Sequence, residues 1–317
     1  MQKMEIDCKM RHDSIRHRVV CCSAAVLLAL SFAGCTGCVE TEVAEPALPI
    51  KLVAHRGESS FAPENTIPAF ELAWKSGYAY AMEIDIFQTA DGVLVCSHDG
   101  NLERLTGHSN WVTNMTYDEI RQLDIGKGNH RWSADAQWRG TRMPSLREAL
   151  ATLPEDGHIF IEIKRGGDNF PAIFERTRIA AGTRQDQITF ISYGDDELKR
   201  VVDELEYPYP TQLLLGIKVD ENGVVRPTTD ELIARLTAIG ATGADANAAG
   251  RCIDREYIKT IQDAGFEFHV WTYNDITNAM WAVDMGVDSI TTDNPSTLMP
   301  QIIAELERRK AEAAEAK

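Results

Sequence analysis

Outside its first 35 residues, this sequence has few cysteines, and they are widely spaced. The 317 residues contain seven cysteines, of which only Cys38, Cys96 and Cys252 follow that region. A fold that depends on disulfides needs paired cysteines, so this scarcity excludes a disulfide framework. Cys96 lies two residues before His98, but we expect a buried structural cysteine there and not a metal ligand.

Basic residues are scarce relative to acidic ones. The chain has 32 Lys and Arg against 48 Asp and Glu, which gives a formal net charge of −16. Nucleic-acid affinity depends largely on Lys and Arg that neutralise phosphates, so we expect no nucleic-acid partner. An anionic substrate must therefore meet local cations or a metal ion. The 44% hydrophobic and 25% charged residues are typical of a globular protein and exclude general disorder.

The sequence also lacks an apolar run long enough for a comfortable transmembrane helix. The run VVCCSAAVLLALSFAGC follows three arginines and ends in small residues, which predicts a signal peptide over residues 1–34. Its end, FAGC, resembles a bacterial lipobox and implies lipidation of Cys35, with an ordinary cleaved signal as the alternative. Residues 35–50 show no periodicity and are predicted to be a tether. We expect an exported lipoprotein anchored to a bacterial membrane, on its periplasmic or cell-surface face.

Removal of the signal peptide makes the chain more acidic. Residues 1–34 contain five Lys or Arg and three Asp or Glu, so 27 basic and 45 acidic residues remain, with a formal charge of −18. This charge strengthens the expectation of no nucleic-acid partner, and the predicted anchor implies a membrane as a partner.

Short β-branched segments alternate with amphipathic helical segments over residues 51–300, a pattern typical of parallel sheets covered by helices. The predicted strands are KLVAH, AMEIDIF, VLVCSH, HIFIEIK, QITFIS, TQLLLGI, GATGADA, FEFHVWT and DSITTD. These are one more than a TIM (β/α)8 barrel needs, and roughly 250 residues suit one such domain. QTADG is too short to hold a crossover helix. Either VLVCSH returns as a hairpin arm, or one later segment lies outside the barrel. Residues 301–317 are predicted to form a solvated helix.

Two of these strands place acidic residues on the same face. In AMEIDIF, Glu83 and Asp85 alternate with apolar residues, and in HIFIEIK, Glu162 and Lys164 do the same. A hairpin turn centred near Ala90 would bring His98 roughly opposite Glu83.

Inward carboxylates are costly in a barrel unless a cation compensates them. Glu83, Asp85 and Glu162 offer hard oxygen ligands that suit one divalent ion, Ca²⁺ or Mg²⁺, better than zinc. The alternative is an interior salt-bridge network with Arg56 and Lys164.

Two histidines end predicted strands, His55 in AHRG and His98 in SHD. In a barrel they would lie at the C-terminal mouth, where barrel active sites are built. Two imidazoles beside a divalent ion, with cations for a phosphate, suit acid–base cleavage of a phosphodiester.

The chain resembles the glycerophosphodiester phosphodiesterase family from residue 53 to residue 295. The matching pieces, in family order, are AHRG with PENT, EID with TADG, HD followed by Leu102 and Arg104, PSL, IEIK, VWTYN and TTDNP. The resemblance implies a TIM barrel with a small insertion at about residues 100–143. It also implies metal-dependent hydrolysis of a glycerophosphodiester to glycerol 3-phosphate and an alcohol.

The resemblance implies a role for each matching residue. His55 and His98 would be the acid–base pair, Arg56 and Lys164 would contact phosphate, and Trp271 would form a wall for the glycerol. The metal would be held by Glu83, Asp85 and Glu162. Glu58 and Asn65 would lie near the pocket. Leu105 and Tyr273 depart from the family pattern without removing a chemical group from this mechanism.

Alternatives remain open on the sequence alone. Phospholipase C chemistry also uses two histidines in a barrel but releases a cyclic phosphate. A glycosidase could use the paired carboxylates, and a binding barrel would need no acid–base set. In the insertion, Trp111, Trp132 and Trp138 could stack on a sugar or headgroup, or form a small satellite core. Asp99 could orient His98 or cap the following turn.

Overall fold

The computed structural model describes residues 48–127, 131–132, 134–164, 170–248 and 250–316. The predicted signal peptide, Cys35 and nearly all of the tether lie outside the described residues. Residues 47–317 belong to one structural unit. Across the described ranges, no helix is both long and apolar enough to cross a membrane.

All nine predicted strands are present, together with a short hairpin that the sequence analysis does not predict. The strands are β1 (Lys51–His55), β2 (Ala79–Gln88), β3 (Leu94–Cys96), β4 (His158–Ile163), β5 (Ile188–Ser192), β6 (Thr211–Gly216), β7 (Lys218–Val219), β8 (Val225–Arg226), β9 (Gly243–Asn247), β10 (Glu267–Val270) and β11 (Ser289–Thr292). Within the described residues, strands β7 and β8 form a separate two-stranded sheet.

Eight parallel strands close into the predicted TIM barrel. Their order is β1-β2-β4-β5-β6-β9-β10-β11, and the barrel closes because β1 pairs with both β2 and β11. Strand β3 is antiparallel to β2, so VLVCSH is the hairpin arm, as the first alternative predicted. The register pairs Ile86 with Cys96, one residue away from the predicted turn centre, so His98 is not directly opposite Glu83.

Ten α-helices surround the barrel or belong to its loops in the described residues. They are α1 (Ile67–Lys75), α2 (Glu103–Thr106), α3 (Tyr117–Ile120), α4 (Leu146–Ala151), α5 (Phe170–Ala181), α6 (Asp195–Glu204), α7 (Thr229–Ile239), α8 (Arg255–Asp263), α9 (Ile276–Met285) and α10 (Pro295–Glu315). Capping fixes several starts: the Thr66 side chain accepts from Ala69 N at α1, and Ser145 and Glu148 form a capping box at α4. Helix α5 is not predicted from the sequence.

The core has separate layers inside and outside the barrel wall. Met82, Ile84 and Ile86 of β2 pack outward against helices, as the alternation predicts. Inside the barrel, the apolar cluster is small and contains Val53, Ala81, Phe160, Ile191 and Leu214. This inner cluster leaves the carboxyl ends of the strands for polar side chains. Cys96 is buried in the outer layer, as expected.

The insertion is built from short helices over its own aliphatic cluster. The buried members of this cluster are Val95, Leu102, Leu105, Val112, Ile120, Ile125 and Met143. Trp111 is 54% exposed, whereas Trp132 and Trp138 contact each other edge to face at 6.4 Å. The insertion therefore has a small core, but none of the three tryptophans is among its buried members, so the predicted tryptophan core is not what forms it.

The C-terminal helix differs from its prediction. Helix α10 begins at Pro295 and not near residue 301, and Leu298, Met299 and Ile302 are buried against the barrel. Arg309 pairs with Glu305 of the same helix and with Asp284 of α9. The helix is thus partly a barrel helix, because its first turns carry an apolar face, and only its later turns are solvated.

Candidate active site at the barrel mouth

Three buried carboxylates meet on the inner face of two neighbouring strands. Asp85 of β2 and Glu162 of β4 are register partners, and Glu83 lies on the same face of β2. One oxygen from each residue lies within 4.8 Å of the others. Oxygen ligands at this spacing suit Ca²⁺ or Mg²⁺.

Two cations partly compensate these carboxylates. Lys164 Nζ lies 2.5 Å from Asp85 Oδ1 and 2.7 Å from Glu162 Oε1, and Arg56 Nε lies 3.2 Å from Asp85 Oδ2. The predicted salt-bridge network is therefore present. It provides two cations for three carboxylates, which leaves one carboxylate without a cationic partner in the cluster. The chemistry of the donors and this imbalance both fit a divalent ion held by Glu83, Asp85 and Glu162.

The pKa values of the acids reflect the same imbalance. Burial raises the pKa of Asp85, but Lys164 and Arg56 outweigh burial and hold that pKa well below its usual range. Burial and the neighbouring Asp85 raise the pKa of Glu162 to about 7. The same two causes raise the pKa of Glu83 well above its ordinary value. A cation bound between the acids would favour their charged forms.

His55 lies at the end of β1 and is fixed by an acid from the last strand-to-helix loop. Its Nδ1 is 2.6 Å from Asp293 Oδ1, and its Nε2 is 4.0 Å from Glu83 Oε2. Ser59 Oγ and Asn274 Nδ2 also donate to Asp293. Burial raises the pKa of Asp293, but the hydrogen bond to His55 helps to lower it to about 2. Asp293 therefore orients the His55 ring with Nε2 toward the acids.

His98 follows β3 and is held by a chain of ion pairs. Its Nδ1 is 2.8 Å from Asp99 Oδ1, and Arg104 Nε donates to Asp99 Oδ2 at 2.6 Å. Arg104 also donates to both oxygens of Glu64, which in turn accepts from Arg56 Nη1 at 3.0 Å. Asp99 thus orients His98, the first of its two predicted alternatives. Burial is the main cause that lowers the pKa of His98.

The loop after β1 has a backbone that few residues adopt. Arg56 and Asn65 have φ values of 57° and 55°, in the left-handed region. Arg56 N donates to Glu83 O at 2.9 Å and to Glu83 Oε2 at 3.1 Å, and Asn65 Nδ2 donates to Asp85 at 2.8 Å. The loop therefore joins the first strand to the acids of the second. Glu58, implied to lie near the pocket, instead accepts from Ser296 at 2.7 Å.

Two cavities meet at the mouth, and both are lined by His55 and Arg56. The smaller, about 90 Å³, also contains His98, Lys164 and Trp271, together with the acids Glu83, Glu162 and Asp245. The larger, about 310 Å³, extends to Glu64, Arg104, Arg131, Trp132 and Asp293. The structure thus brings the predicted histidines, cations, acids and Trp271 together around one mouth.

Asp245 is a buried acid of β9 that the sequence analysis does not single out. Its Oδ1 has no hydrogen-bond partner in the described part of the chain, and burial raises its pKa to about 6. Trp271 Nε1 donates to the Asp245 carbonyl oxygen at 3.1 Å, and Tyr193 contacts the Trp271 ring edge to face. These three residues line the smaller cavity.

The sequence analysis also gave no role to Asp293, Glu64 or Arg104. All three lie in quoted motifs: Asp293 in TTDNP, Glu64 in PENT and Arg104 after HD. A signal for Asp293 was available, because a closed barrel places the last strand beside the first.

Because active sites of TIM barrels lie at the C-terminal face, this fold and this mouth together define a barrel enzyme. A model of the glycerophosphoryl diester phosphodiesterase family matches residues 55–297. A glycerophosphodiester phosphodiesterase of Bacillus subtilis (strain 168) is 29% identical over 259 residues, which cover 78% of this chain and 84% of the relative.

Solved structures show the same fold. A glycerophosphodiester phosphodiesterase from Agrobacterium tumefaciens str. C58 superposes with a TM-score of 0.63 at 25% identity, covering 79% of this chain and 99% of the other. An Oleispira antarctica phosphodiesterase, solved in complex with the product sn-glycerol-3-phosphate, has a TM-score of 0.69 at 23% identity, covering 81% and 97%. This chain belongs to the glycerophosphoryl diester phosphodiesterase family and is a phosphodiesterase.

Proposed function

We propose that this protein hydrolyses a glycerophosphodiester to glycerol 3-phosphate and an alcohol, using a divalent ion and the His55–His98 pair. The observation that carries the proposal is the arrangement around the smaller cavity. Two imidazoles, each tied through Nδ1 to a carboxylate, line the same space as two cations and two acids of the carboxylate cluster, Glu83 and Glu162. Each group has a role in phosphodiester cleavage.

Glu83, Asp85 and Glu162 would hold the ion. When bound, a divalent ion acts as a Lewis acid on a phosphoryl oxygen and neutralises developing charge. Arg56 and Lys164 already lie beside these acids and would contact the phosphate. Lys164 would exchange part of its pairing with Asp85 and Glu162 for the substrate.

The histidines would move the protons. Because Asp293 and Asp99 bind the Nδ1 atoms, the Nε2 atoms are available for proton transfer. One histidine would take a proton from the nucleophile, and the other would donate one to the leaving alcohol oxygen. Trp271 would form the wall for the glycerol, and Asp245 Oδ1 would accept a hydrogen bond from a glycerol hydroxyl.

Product analysis tests this proposal. Phosphorus NMR of the purified protein with a divalent ion and a mixture of glycerophosphodiesters should show glycerol 3-phosphate and free alcohol. A cyclic phosphate that accumulates as the final product would contradict hydrolysis and favour phospholipase C chemistry. Absence of any phosphorus product would contradict the enzymatic role on these substrates.

We also propose that the mature protein is exported and anchored through a lipid on Cys35. The support comes from the sequence of residues 1–35, which combines arginines, an apolar run and FAGC. In a bacterial host, radioactive palmitate should label the protein and not the Cys35→Ala variant. Equal labelling of both would contradict the anchor.

A further inference from the structure

A phosphodiester has two arms on one phosphorus, and two cavities meet at His55 and Arg56. The smaller cavity is lined by Glu83 and Glu162 of the proposed metal site and by Asp245 and Trp271. The larger cavity leads from His55 and Asp293 to the insertion. If the glycerol arm occupies the smaller cavity, the larger one offers space for the other arm beside His55 and Arg56.

Trp132, in the wall of the larger cavity, is held in place against the loop after β1. Trp132 of the insertion donates through Nε1 to the carbonyl oxygen of Ser59 at 3.2 Å. Ser59 Oγ in turn donates to Asp293 Oδ1, the oxygen that binds His55. The Trp132 ring is also braced by the edge of Trp138. The wall therefore keeps a defined distance from the histidine beside the phosphorus.

The carboxylates of this cavity already have partners. Both oxygens of Glu64 accept hydrogen bonds from guanidinium groups, those of Arg56 and Arg104. Asp293 accepts from His55 and Ser59 through one oxygen and from Asn274 through the other. A cationic ligand would thus find, among the described lining residues, carboxylates that are already paired.

The guanidinium groups outnumber these carboxylates. Arg56, Arg104 and Arg131 line the cavity, against Glu64 and Asp293. Arg56 and Arg104 are themselves paired with acids, so Arg131 is the guanidinium group that adds positive charge to the described lining. A quaternary ammonium prefers several aromatic faces or an unpaired acid, whereas the described lining offers it one indole, paired carboxylates and the Arg131 cation. Hydroxyl groups can accept hydrogen bonds from guanidinium N–H groups and donate to carboxylate oxygens, and a sugar-like ring can pack on an indole.

We propose that the larger cavity binds the leaving alcohol and selects an uncharged, hydroxyl-rich alcohol, a polyol or a sugar, over a cationic amino alcohol. This inference rests on the proposed function. It gives the insertion a role in specificity through Arg131 and Trp132, and it leaves bond cleavage to the groups at the shared mouth.

The test compares kcat/KM for three diesters of glycerol 3-phosphate, whose alcohols are inositol, choline and methanol. The methyl diester carries the same charge as the inositol diester but is too small to fill the larger cavity. Comparison with it therefore separates the effect of contacts inside the cavity from that of long-range electrostatic attraction. We expect the inositol diester to exceed the choline diester by about tenfold or more. Arg131→Glu should lower the inositol-to-methyl ratio and raise the choline-to-methyl ratio, each by about fivefold.

Matched variants control for charge and for loss of an indole. Arg147→Glu changes the same charge on an exposed face of α4, and Trp111→Ala removes an exposed tryptophan of the same insertion. Both should leave the ratios unchanged, whereas Trp132→Ala should lower the inositol-to-methyl ratio. Circular dichroism checks that each variant is folded.

The possible outcomes distinguish failure of the proposed alcohol subsite from failure of the proposed catalytic function. Hydrolysis of all three diesters with a preference for choline would overturn the subsite and retain the proposed function. Ratios that do not respond to Arg131→Glu and Trp132→Ala would do the same. Failure to hydrolyse even the methyl diester, with the divalent ion present, would overturn the proposed function and the subsite with it.

Discussion

Asp293 illustrates how one residue can control a site without touching the predicted metal. It holds Nδ1 of His55 at 2.6 Å and is itself held by Ser59 and Asn274. Removal of its charge should allow the ring to rotate or change tautomer. Asp293 is therefore a positioning residue.

We predict that Asp293→Asn lowers kcat by about 100-fold with little change in KM, since a mispositioned acid–base group loses proton transfer and not binding. Steady-state kinetics of glycerol 3-phosphate release measure both constants. Asp263→Asn, which removes an exposed acid paired with Lys259 on α8, is the matched control and should behave like the wild type. A large rise in KM at unchanged kcat would contradict the positioning role.

The burial of Asp245 predicts how the free energy of unfolding changes with pH. Its folded-state pKa is raised by burial to about 6, so the folded protein retains a proton that the unfolded chain has already lost. Asp245 therefore costs stability as pH rises from about 4 to about 6, by about 3 kcal/mol above that range. Asp245→Asn removes this titration. Relative to the wild type, the variant should gain unfolding free energy between about pH 4 and pH 8, as measured by urea unfolding. A difference that does not vary with pH would contradict the burial of an ionisable Asp245.

At the scale of elements, the loop after β1 combines an unusual backbone conformation with residues of the proposed active site. Gly57 has φ 84°, and a Cβ built there lies 2.7 Å from the Ala69 carbonyl carbon at the start of α1. Gly77, at the end of α1, also has positive φ, at 71°, but a Cβ there meets no atom within 4 Å. Substitution of Gly77 therefore tests backbone strain alone, whereas substitution of Gly57 tests backbone strain together with a steric clash.

We predict that Gly77→Ala costs about 1 kcal/mol of unfolding free energy, because an alanine pays only for the left-handed backbone. Gly57→Ala should cost about 3 kcal/mol or more, since α1 must also move away from the loop. Urea denaturation of the two variants measures the difference. Equal costs would show that α1 is free to shift and that the loop is not fixed by its contact with Ala69.

The elements themselves were largely predictable from the sequence. Alternation in β2 and β4 sufficed to place Glu83, Asp85 and Glu162 on the inner face, because a strand has a strict period of two. The hairpin register was wrong by one residue, since the turn uses Gly92 at φ 85° and pairs Thr89 with Val93. A turn centre is set by such local backbone geometry, which spacing alone does not fix.

At the scale of the whole molecule, the barrel closes the chain on itself. His55 and Asp293 are 238 residues apart in sequence and in contact in the fold. Partners such as Glu64 and Arg104 likewise come from loops whose approach depends on the complete barrel. Motif matching located the regions, but the pairings required the closed structure.

Charge is also arranged at this scale. The chain has a formal net charge of −16, yet Arg56, Lys164, Arg104 and Arg131 gather at the mouth. With a divalent ion bound by the three carboxylates, these cations would attract a phosphodiester anion to the mouth. This arrangement suits a small anion and not an extended polyanion.

The measurement that tests the central claim most directly is glycerol 3-phosphate release with and without a chelator, followed by restoration with Ca²⁺ or Mg²⁺. We predict that the chelator abolishes release and that one of the ions restores it in the wild type. Glu162→Gln, which keeps the size of a ligand but removes its charge, should stay inactive after restoration while circular dichroism shows a folded protein. Release that persists in the chelator, or an active Glu162→Gln variant, would contradict metal-assisted catalysis at this site.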